Sequence, residues 1–340
     1  MTWYIDQGPD SDVIISSRVR LARNLEHTPF PHRLDQQTSK ETAVTITDAF
    51  FADDQNRRSQ FLVLDLNELS EEDQMSLVEK RLISEDLTHK NNWHRVIISR
   101  DESISIMINE EDHIRIQSMQ AGQNLETAYE AAAETALVFE KNLSIAYSDV
   151  YGFLTACPTN TGTGMRSSVM AHLPGLTIAG AMRPVAESLS KMGFVVRGLY
   201  GEHSKSQGNL YQISNQLTLG ISEENLISDL KKMLQQLIEQ ERNNRKTLYE
   251  QQPAMIENKV MRAYGTLKFA RLMPTEEAMS LLSDVRFGQS IGLLKTVSTR
   301  DLNQIQASIG PASIQKVHGE LMSPEKRDYA RAKIIRDLLK

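Results

Sequence analysis

The chain has 340 residues, of which 40% are hydrophobic and 24% are charged, as in a soluble globular protein large enough for two or three domains. Its formal net charge of −6 excludes the overall basic field that attracts nucleic acid or anionic lipid. Neither a signal peptide nor an apolar run of membrane-spanning length is present, and the single cysteine, Cys157, excludes an internal disulfide, so we expect a cytoplasmic protein.

The first predicted strand carries two arginines on one face. Apolar and polar residues alternate over residues 12–24, as in a half-buried strand. In that conformation Arg18 and Arg20 project from one face beside Ser16. Paired guanidinium groups on a rigid strand suit bidentate contacts with phosphate oxygens, although a solvated strand face would show the same pattern.

Helices and strands alternate in the next segments. Residues 38–56 predict a helix and residues 61–66 a strand, and Ser70 begins a further helix as an N-cap followed by acidic residues. The apolar runs 95–99 and 104–108 flank a polar turn, which predicts an antiparallel hairpin.

The segment Asn109-Glu-Glu-Asp-His-Ile-Arg115 follows this hairpin. If the strand continues, side chains two apart point the same way, so Glu111, His113 and Arg115 share one face. The carboxylate and the guanidinium would then lie about 13 Å apart at ~3.3 Å per residue, roughly the span of a triphosphate plus the group that receives its last phosphate. A charged hairpin end on the surface is the alternative.

After the predicted helix 124–143, a strand-like run ends at Cys157. A loop rich in threonine and glycine follows and ends at Arg166. The loop lacks the Gly-Lys-Ser/Thr ending of a P-loop, which argues against a P-loop NTPase, and Arg166 would have to supply the positive charge. A structural turn with a buried cysteine is the alternative. One cysteine and eight scattered histidines show no zinc-type spacing, so we predict no metal bound by protein side chains.

The second half begins with a strand over residues 194–203 that enters a glycine-marked loop, where Arg197 and Glu202 again bring a guanidinium near a carboxylate. Ser222 begins a long helix with one apolar stripe. The chain becomes almost wholly polar over residues 239–252, and we place a domain boundary there.

Short helices follow this boundary. The last of them begins at Ser323, an N-cap with proline at the first helical position. Arg327 and Arg331 lie one turn apart on one face of it.

The arginines recur on strands or loops that could line one cleft, and two of those places also bring a glutamate. A triphosphate carries about four negative charges, and phosphoryl transfer is accelerated mainly by positioning and charge neutralisation. Two glutamates and a thiolate suit an acceptor that is cationic, planar and rich in hydrogen-bond donors. A guanidinium group has these properties.

Four motifs resemble, in the same order, those of the phosphagen (guanidino) kinases: Ser17-Arg-Val-Arg20, Asn109-Glu-Glu-Asp-His-Ile-Arg115, Cys157-Pro-Thr-Asn-Thr-Gly-Thr-Gly-Met-Arg166 and Arg197-Gly-Leu-Tyr-Gly-Glu-His203. Compared with creatine and arginine kinases, the chain lacks the small helical domain before the catalytic domain and has an added C-terminal part. Both features resemble the bacterial members that phosphorylate arginine in proteins. The string Arg327-Asp-Tyr-Ala-Arg-Ala332 resembles their C-terminal phosphoarginine-binding motif.

The resemblance implies an α+β fold. An antiparallel β-sheet flanked by helices would form the catalytic domain over residues 1–245, and a small all-helical C-terminal domain over residues 246–340 would dimerise and bind phosphoarginine. The implied activity is ATP-dependent phosphorylation of arginine side chains in proteins, marking them for regulation or Clp-type proteolysis in the stress response. The implied cofactors are ATP and Mg²⁺, with Mg²⁺ held through the nucleotide phosphates.

The resemblance also implies roles for individual residues. Glu111 would grip and deprotonate the acceptor guanidinium, and Glu202 would be the second carboxylate. Cys157 would be a thiolate packed against the guanidinium and hydrogen-bonded by Thr159, while Glu110 is a further catalytic candidate that a regular strand would turn to the opposite face. The implied nucleotide site comprises Ser16, Ser17, Arg18, Val19, Arg20, Arg81, Arg115, Arg166, Ser167, Ser168, Val169, Met170, Arg197, Gly198, Leu199, Tyr200, Gly201 and Glu202. The implied allosteric phosphoarginine site comprises Arg327, Asp328, Arg331 and Ala332.

The partners implied by the resemblance are protein substrates with exposed arginines, a zinc-binding activator protein, a heat-shock repressor and a Clp ATPase or protease. A homodimer is implied as well, with neither nucleic acid nor a membrane as partner. Two other functions stay open on the sequence: a kinase for a small guanidino compound, and a non-catalytic dimeric adaptor that recognises phosphoarginine.

Overall fold

Strands and helices alternate through the first two thirds of the chain, and helices alone form the last third. The computed structural model describes residues 2–52, 54, 56–89, 92–198 and 207–339. In this part the strands are β1 (Ile14–Arg23), β2 (Phe61–Asp65), β3 (Arg95–Ser99), β4 (Ile104–Ile108), β5 (Ile114–Ala121), β6 (Tyr147–Ser148), β7 (Gly152–Phe153), β8 (Met165–His172), β9 (Phe194–Gly198) and β10 (Leu210–Asn215). The helices are α1 (Gln36–Phe51), α2 (Arg57–Gln60), α3 (Glu71–Glu79), α4 (Leu125–Asn142), α5 (Pro174–Ile178), α6 (Met182–Lys191), α7 (Glu223–Gln251), α8 (Pro253–Phe269), α9 (Thr275–Ser290), α10 (Thr299–Ser308), α11 (Pro311–His318) and α12 (Pro324–Leu338).

Eight of these strands form one antiparallel sheet in the order β2-β3-β4-β5-β1-β8-β10-β9. The main hydrophobic core lies on one face of the sheet, where apolar side chains of α1, α4 and α7 pack against the inward-facing residues of the strands. The predicted antiparallel sheet flanked by helices is thereby confirmed. The predicted hairpin is β3 and β4, whose register pairs Ile97 with Ile106.

Local sequence signals set the helix starts as predicted. Ser70, Ser222 and Ser323 each accept a hydrogen bond from the backbone N–H three residues later, at the N-termini of α3, α7 and α12. The apolar stripe of α7, which includes Leu230 and Leu234, is fully buried. Patterns that depend only on near neighbours in sequence therefore gave correct elements.

The C-terminal helices α8, α9, α10 and α12 surround a second hydrophobic core, whereas α11 packs on α3. Met170 of β8 and Leu210 of β10 belong to that core, so the helical part packs directly on the eight-stranded sheet. His172, at the end of β8, has its Nε2 2.9 Å from the Oγ of Ser283 in α9. The predicted division between residues 245 and 246 falls inside α7, which continues to Gln251, and the boundary stays a prediction.

A buried ion pair fixes α7 to the sheet. Glu241 and Arg245 are one helical turn apart, almost wholly buried, and joined by a 2.6 Å contact between Oε1 and Nε. The carboxylate of Glu241 also accepts hydrogen bonds from the backbone N–H groups of Gly175 and Leu176 at the start of α5. Arg245 donates to the carbonyl of His172 at the end of β8. Because every charge is paired, the cost of burying the pair is largely offset.

Removing one member of this pair should destabilise the whole protein. We expect Glu241→Ala to lower the free energy of unfolding by about 3–5 kcal/mol, because Arg245 would remain buried without its counter-charge. Denaturant unfolding measures the change. The control is Glu239→Ala on the exposed face of the same helix, which should cost less than about 0.5 kcal/mol. Equal stabilities of the two variants would contradict the structural role.

Candidate active site

The predicted phosphate-binding arginines of β1, β5 and β8 lie on one face of the sheet, opposite the main core. Arg18 and Arg20 are two residues apart on β1, so their side chains share that face. Residues directly opposed in antiparallel strands also share a face. The register places Arg166 opposite Arg20, and Arg115 opposite Ala22. Positive charge is thus collected on three adjacent strands.

The same face extends to the sheet edge through β10. Gln212 of β10 lies opposite both Met170 of β8 and Arg197 of β9, and Met170 lies opposite Ser16 of β1. Arg197 therefore joins the arginine face, which we define as the side-chain set Arg18, Arg20, Arg115, Arg166 and Arg197. Gly198 ends β9.

The arginine face is crowded with like charges. Burial is the main reason why the pKa of Arg18 is lowered to about 9, and the neighbouring charges of Arg81, Arg166 and Arg115 act in the same direction. The pKa of Arg20 is also lowered, first by burial and then by the other arginines. Its buried Nε has no hydrogen-bond partner among the described residues. Guanidinium groups in this condition gain from a bound anion, so the face fits a polyphosphate.

A small cavity opens on this face beside Arg18. The Nε of Arg18 donates to the Ser168 hydroxyl at 3.1 Å, and its Nη2 donates to the Gln212 Oε1 at 3.0 Å. The cavity is lined by Ser16, Arg18, Arg81, Met119, Ser168, Val169, Met170 and Gln212. Sequence reasoning missed Met119 and Gln212. Only the strand register, which sets Gln212 beside Met170, could have revealed the second of them.

Four residues predicted for the nucleotide site, Ser17, Val19, Ser167 and Val169, have side chains on the opposite face, because side chains alternate along a strand. The hydroxyl of Ser17 is buried and donates to the carbonyl of Gly122 at 2.8 Å. Val19 is part of the main core, and Ser167 is fully buried next to Val169. Ser17, Val19, Ser167 and Val169 could therefore contribute only backbone groups to the nucleotide site, and their assignment to it stays a prediction.

The strand does not continue through the segment 109–113, contrary to the prediction. It forms the tight connection between β4 and β5, with Asn109 in the left-handed region at φ 60° and Ile108 paired with Ile114. Consequently Glu111 and Arg115 are not about 13 Å apart. The Oε2 of Glu111 lies 2.8 Å from the Nη2 of Arg115.

Arg115 joins both glutamates of this connection. Its Nη1 lies 2.5 Å from the carboxylate of Glu110, whose side chain is only 2% exposed and also accepts a hydrogen bond from Ser84. The side chain of Glu111 is 43% exposed. Glu110 is therefore enclosed by protein groups, whereas Glu111 is open to an incoming molecule.

His113 does not share the face of Glu111 and Arg115 either. It is fully buried, its Nδ1 accepts a hydrogen bond from the N–H of Leu25, and its Nε2 lies 3.0 Å from the carbonyl oxygen of Pro29. Burial lowers the pKa of this imidazole to about 4. His113 is thus a neutral structural residue.

Cys157 lies near the glutamate connection because Asp112 joins the two segments. The buried Asp112 Oδ1 accepts hydrogen bonds from the N–H of Ala156 at 2.8 Å and from the side-chain amide of Asn24 at 2.7 Å. Burial raises the pKa of Asp112. The Sγ of Cys157 is 3.0 Å from the Thr159 Oγ1, the contact expected from the sequence. Asp112 and Asn24 were missed, because a hydrogen bond between residues 88 positions apart in sequence leaves no local signal.

The second predicted carboxylate, Glu202, lies outside the described residues. The same holds for Leu199, Tyr200 and Gly201 of the predicted nucleotide site.

The C-terminal motif divides into an accessible and a buried half. Arg331 is 1% exposed, and its guanidinium donates to the carbonyls of Ile309 and Met273 and to Asp328. Ala332 is buried in the C-terminal core. Arg327 and Asp328 are only partly buried. The structure thus corrects the expectation that Arg331 and Ala332 line a pocket, since the two side chains are enclosed by protein.

Two family models match the chain, the ATP:guanido phosphotransferase C-terminal catalytic domain at residues 42–244 and the protein-arginine kinase McsB C-terminal domain at residues 253–340. A protein named protein-arginine kinase from Brevibacillus brevis is 40% identical, over 99% of this chain and 95% of that protein. One from Pelotomaculum thermopropionicum is 43% identical, over 98% of this chain and 94% of that protein.

The chain belongs to the protein-arginine kinase family. Its catalytic sheet is also similar to solved guanidino kinases. The duplicated taurocyamine kinase from Schistosoma mansoni, solved with transition-state analogue components, superposes with a TM-score of 0.63 and 28% identity, over 72% of this chain and 35% of that one. Lombricine kinase, at 24% identity, has a TM-score of 0.61 over 71% of each chain. At this identity the similarity supports only the assignment of the fold. No helix within the described ranges is long and apolar enough to span a membrane.

Acid should destabilise the protein through His113. The pKa of His113 is about 4 in the folded state and about 6.5 in the unfolded state, so the unfolded chain takes up the proton first as pH falls. The contribution is complete above pH ~6.5 and is lost progressively towards pH ~4. Between pH 7 and pH 5 we expect wild type to lose about 2 kcal/mol more stability than His113→Gln, measured by denaturant unfolding. Parallel pH profiles would contradict this assignment.

Proposed function

We propose that this protein-arginine kinase transfers the γ-phosphoryl group of ATP to arginine side chains of proteins. The proposal rests on the close approach of two groups of side chains, one suited to a phosphate donor and one suited to a guanidinium acceptor. The arginine face offers clustered, partly buried positive charge, and the Glu111 and Cys157 segments, joined through Asp112, adjoin it at Arg115. A phosphate donor and a guanidinium acceptor can therefore meet at one place.

The donor half would hold the nucleotide by charge. In the proposed complex the arginine face binds the phosphates, and the cavity lined by Arg81 and Met170 accepts the remainder of ATP. Mg²⁺ would be bound through the phosphate oxygens and would supply further charge neutralisation there. Because the arginines are fixed by the sheet, little reorganisation is needed when negative charge shifts in the transition state.

The acceptor half would hold the guanidinium group of the substrate. In the proposed reaction a terminal nitrogen of the substrate arginine attacks the γ-phosphorus, the bond from phosphorus to the bridging oxygen of ADP breaks, and the nitrogen loses its proton to Glu111. Glu110 is a positioning residue that orients Arg115. We assign Cys157 to the edge of the guanidinium pocket, and Glu202 stays a predicted second carboxylate.

Glu111→Gln tests the proposal directly. It keeps the shape and removes the proton acceptor, so we expect kcat for phosphorylation of an arginine-rich protein to fall about 10²–10⁴-fold. ATP affinity, measured by calorimetry, should change by less than about threefold. Acid-labile phosphate on the protein is the assay. Glu134→Gln, an exposed change on α4, is the matched control and should retain wild-type kinetics.

The same assay separates the two alternatives. Phosphate transferred to free arginine but never to protein would establish a small-molecule guanidino kinase. Absence of transfer to either acceptor, with phosphoarginine still bound, would establish a non-catalytic adaptor. Full activity of Glu111→Gln would refute the assigned role even in an active kinase.

We further propose that Arg327 and Asp328 form the accessible part of a phosphoarginine site. Phosphoarginine carries an anionic phosphoryl group and a guanidinium-derived group with N–H donors, which suit Arg327 and Asp328 respectively. Arg331 would contribute indirectly, because its Nη1 lies 2.5 Å from the Asp328 Oδ1 and holds that carboxylate in place.

Arg327→Ala should weaken phosphoarginine binding about tenfold, because the phosphoryl group loses a bidentate partner. Calorimetric titration with phosphoarginine measures the affinity. Arg262→Ala on exposed α8 is the matched control. Equal affinities in wild type and Arg327→Ala would place the site elsewhere.

The wider biological role stays a prediction. Protein substrates are implied by membership of the family, whereas the zinc-binding activator protein, the heat-shock repressor, the Clp partner and the cytoplasmic location follow only from the resemblance. A homodimer through the helical part is likewise proposed. Exposed apolar side chains at the end of α8, such as Phe269 and Leu272, support it.

A further inference from the structure

A carboxylate of the catalytic domain caps a helix of the C-terminal part. Glu79 is the last residue of α3, and α11 begins more than 230 positions later. The two carboxylate oxygens of Glu79 accept hydrogen bonds from the N–H groups of Ala312 and Ser313, at 2.7 and 2.8 Å. The Ser313 hydroxyl donates a third, also at 2.7 Å. All three donors lie in the first turn of α11, where a negative charge is favoured.

The first turn of α11 is shaped to receive this carboxylate. Gly310 is the N-cap residue of α11, and a Cβ at this position would lie 2.2 Å from the Glu79 Oε2. The glycine has an ordinary φ of −63°, so backbone conformation does not require it. Close approach of Glu79 is the reason that no side chain fits there.

Arg81 follows Glu79 by two residues and reaches the nucleotide cavity. It lines that cavity with Arg18, and its charge contributes to lowering the pKa of Arg18. Its own carbonyl accepts a hydrogen bond from Gln117 on the arginine face at 2.7 Å.

The backbone of Arg81 is in an unfavourable conformation for its residue type. At φ 61° it occupies the left-handed position after a helix C-terminus, where glycine is usual. A residue in this strained conformation, with its side chain lining a cavity, points to a function for the guanidinium group there. The helix end that sets this conformation is the end that Glu79 attaches to α11.

We propose that Glu79 is a positioning residue that sets Arg81 in the ATP site, and that the C-terminal helix α11 thereby controls ATP affinity. The inference deepens the proposed function by naming a contact that regulates its nucleotide site. Arg331 extends the contact, because its Nε donates to the carbonyl of Ile309, the residue before Gly310. The C-terminal motif is thus joined to the start of α11 by the hydrogen bond from Arg331 to Ile309, and α11 is joined by three more to Glu79, two residues before Arg81.

The experiment measures ATP·Mg²⁺ binding to the full chain by calorimetry, without an acceptor. We expect Glu79→Gln to weaken ATP binding roughly three- to tenfold, because a neutral amide cannot accept from both N–H groups with full charge. Gly310→Ala should weaken it similarly, since the added methyl displaces the flexible carboxylate and leaves both backbones in place. Arg81→Gly should weaken it about tenfold while preserving or raising the Tm, because the left-handed conformation is then relaxed.

Double substitution identifies the route of the effect. If Glu79 acts through Arg81, adding Glu79→Gln to Arg81→Gly should weaken ATP binding no further. Additive losses would overturn the proposal. Matched controls are Glu71→Gln, an exposed acid of α3, and Gly265→Ala, where an added Cβ meets no atom within 4 Å. Both should bind ATP as wild type does.

Other outcomes also decide the matter. A lower Tm for Glu79→Gln with unchanged ATP affinity would reduce the contact to a structural one and overturn the proposal. In an active enzyme, we expect Glu79→Gln to raise KM for ATP and to leave kcat within about twofold of the wild-type value. A chain that binds ATP but phosphorylates no acceptor would refute the proposed function, and the binding series would still test the role of Glu79.

Discussion

Mutual repulsion among the clustered arginines is the constraint on which the architecture depends. Isolated guanidinium groups would move apart or towards water, yet here the antiparallel register of β5, β1 and β8 holds Arg115, Arg20 and Arg166 on one face. The opposite face of the same strands is the main hydrophobic core, so the strands cannot shift register without exposing it. Burial of apolar residues on one side thus supports unfavourable charge density on the other, as expected where a polyanion is bound.

The proposed acceptor side is organised by the hydrogen bonds of Asp112 and by the charge of Arg115. Asp112 and Asn24 fasten the glutamate connection to the segment before Cys157, and neither side chain would have to touch a substrate. Arg115 belongs to both halves, since it lies on the arginine face and contacts Glu110 and Glu111. A phosphate group bound at the arginine face would therefore change the position or charge environment of Glu111 through Arg115 alone.

The parts predictable from sequence were those encoded by near neighbours. Alternation placed Arg18 and Arg20 on one face, and serine caps marked helix starts. The segment 109–113 failed because Asn109 can adopt a left-handed turn, which alternation does not report. Gln212 was missed because strand pairing brought it to the site, and the role of Asp112 was missed because its partner Asn24 is distant in sequence. The enclosure of Arg331 depends on packing that its helical spacing does not report. Carrying whole segments over from a family, as for Ser17 and Val19, ignores the alternation of a strand.

The helix α7 has a mechanical consequence. It is continuous for 29 residues, roughly 44 Å at 1.5 Å per residue, and extends from the core of the sheet to the helix that opens the C-terminal part. Only Gln252 separates it from α8, and the Glu241–Arg245 pair fastens it to the end of β8 and the start of α5. A digestive protease would therefore find no extended stretch to cleave at this junction, and the packing of Met170 and Leu210 in the C-terminal core holds the helical part to the sheet at a second place.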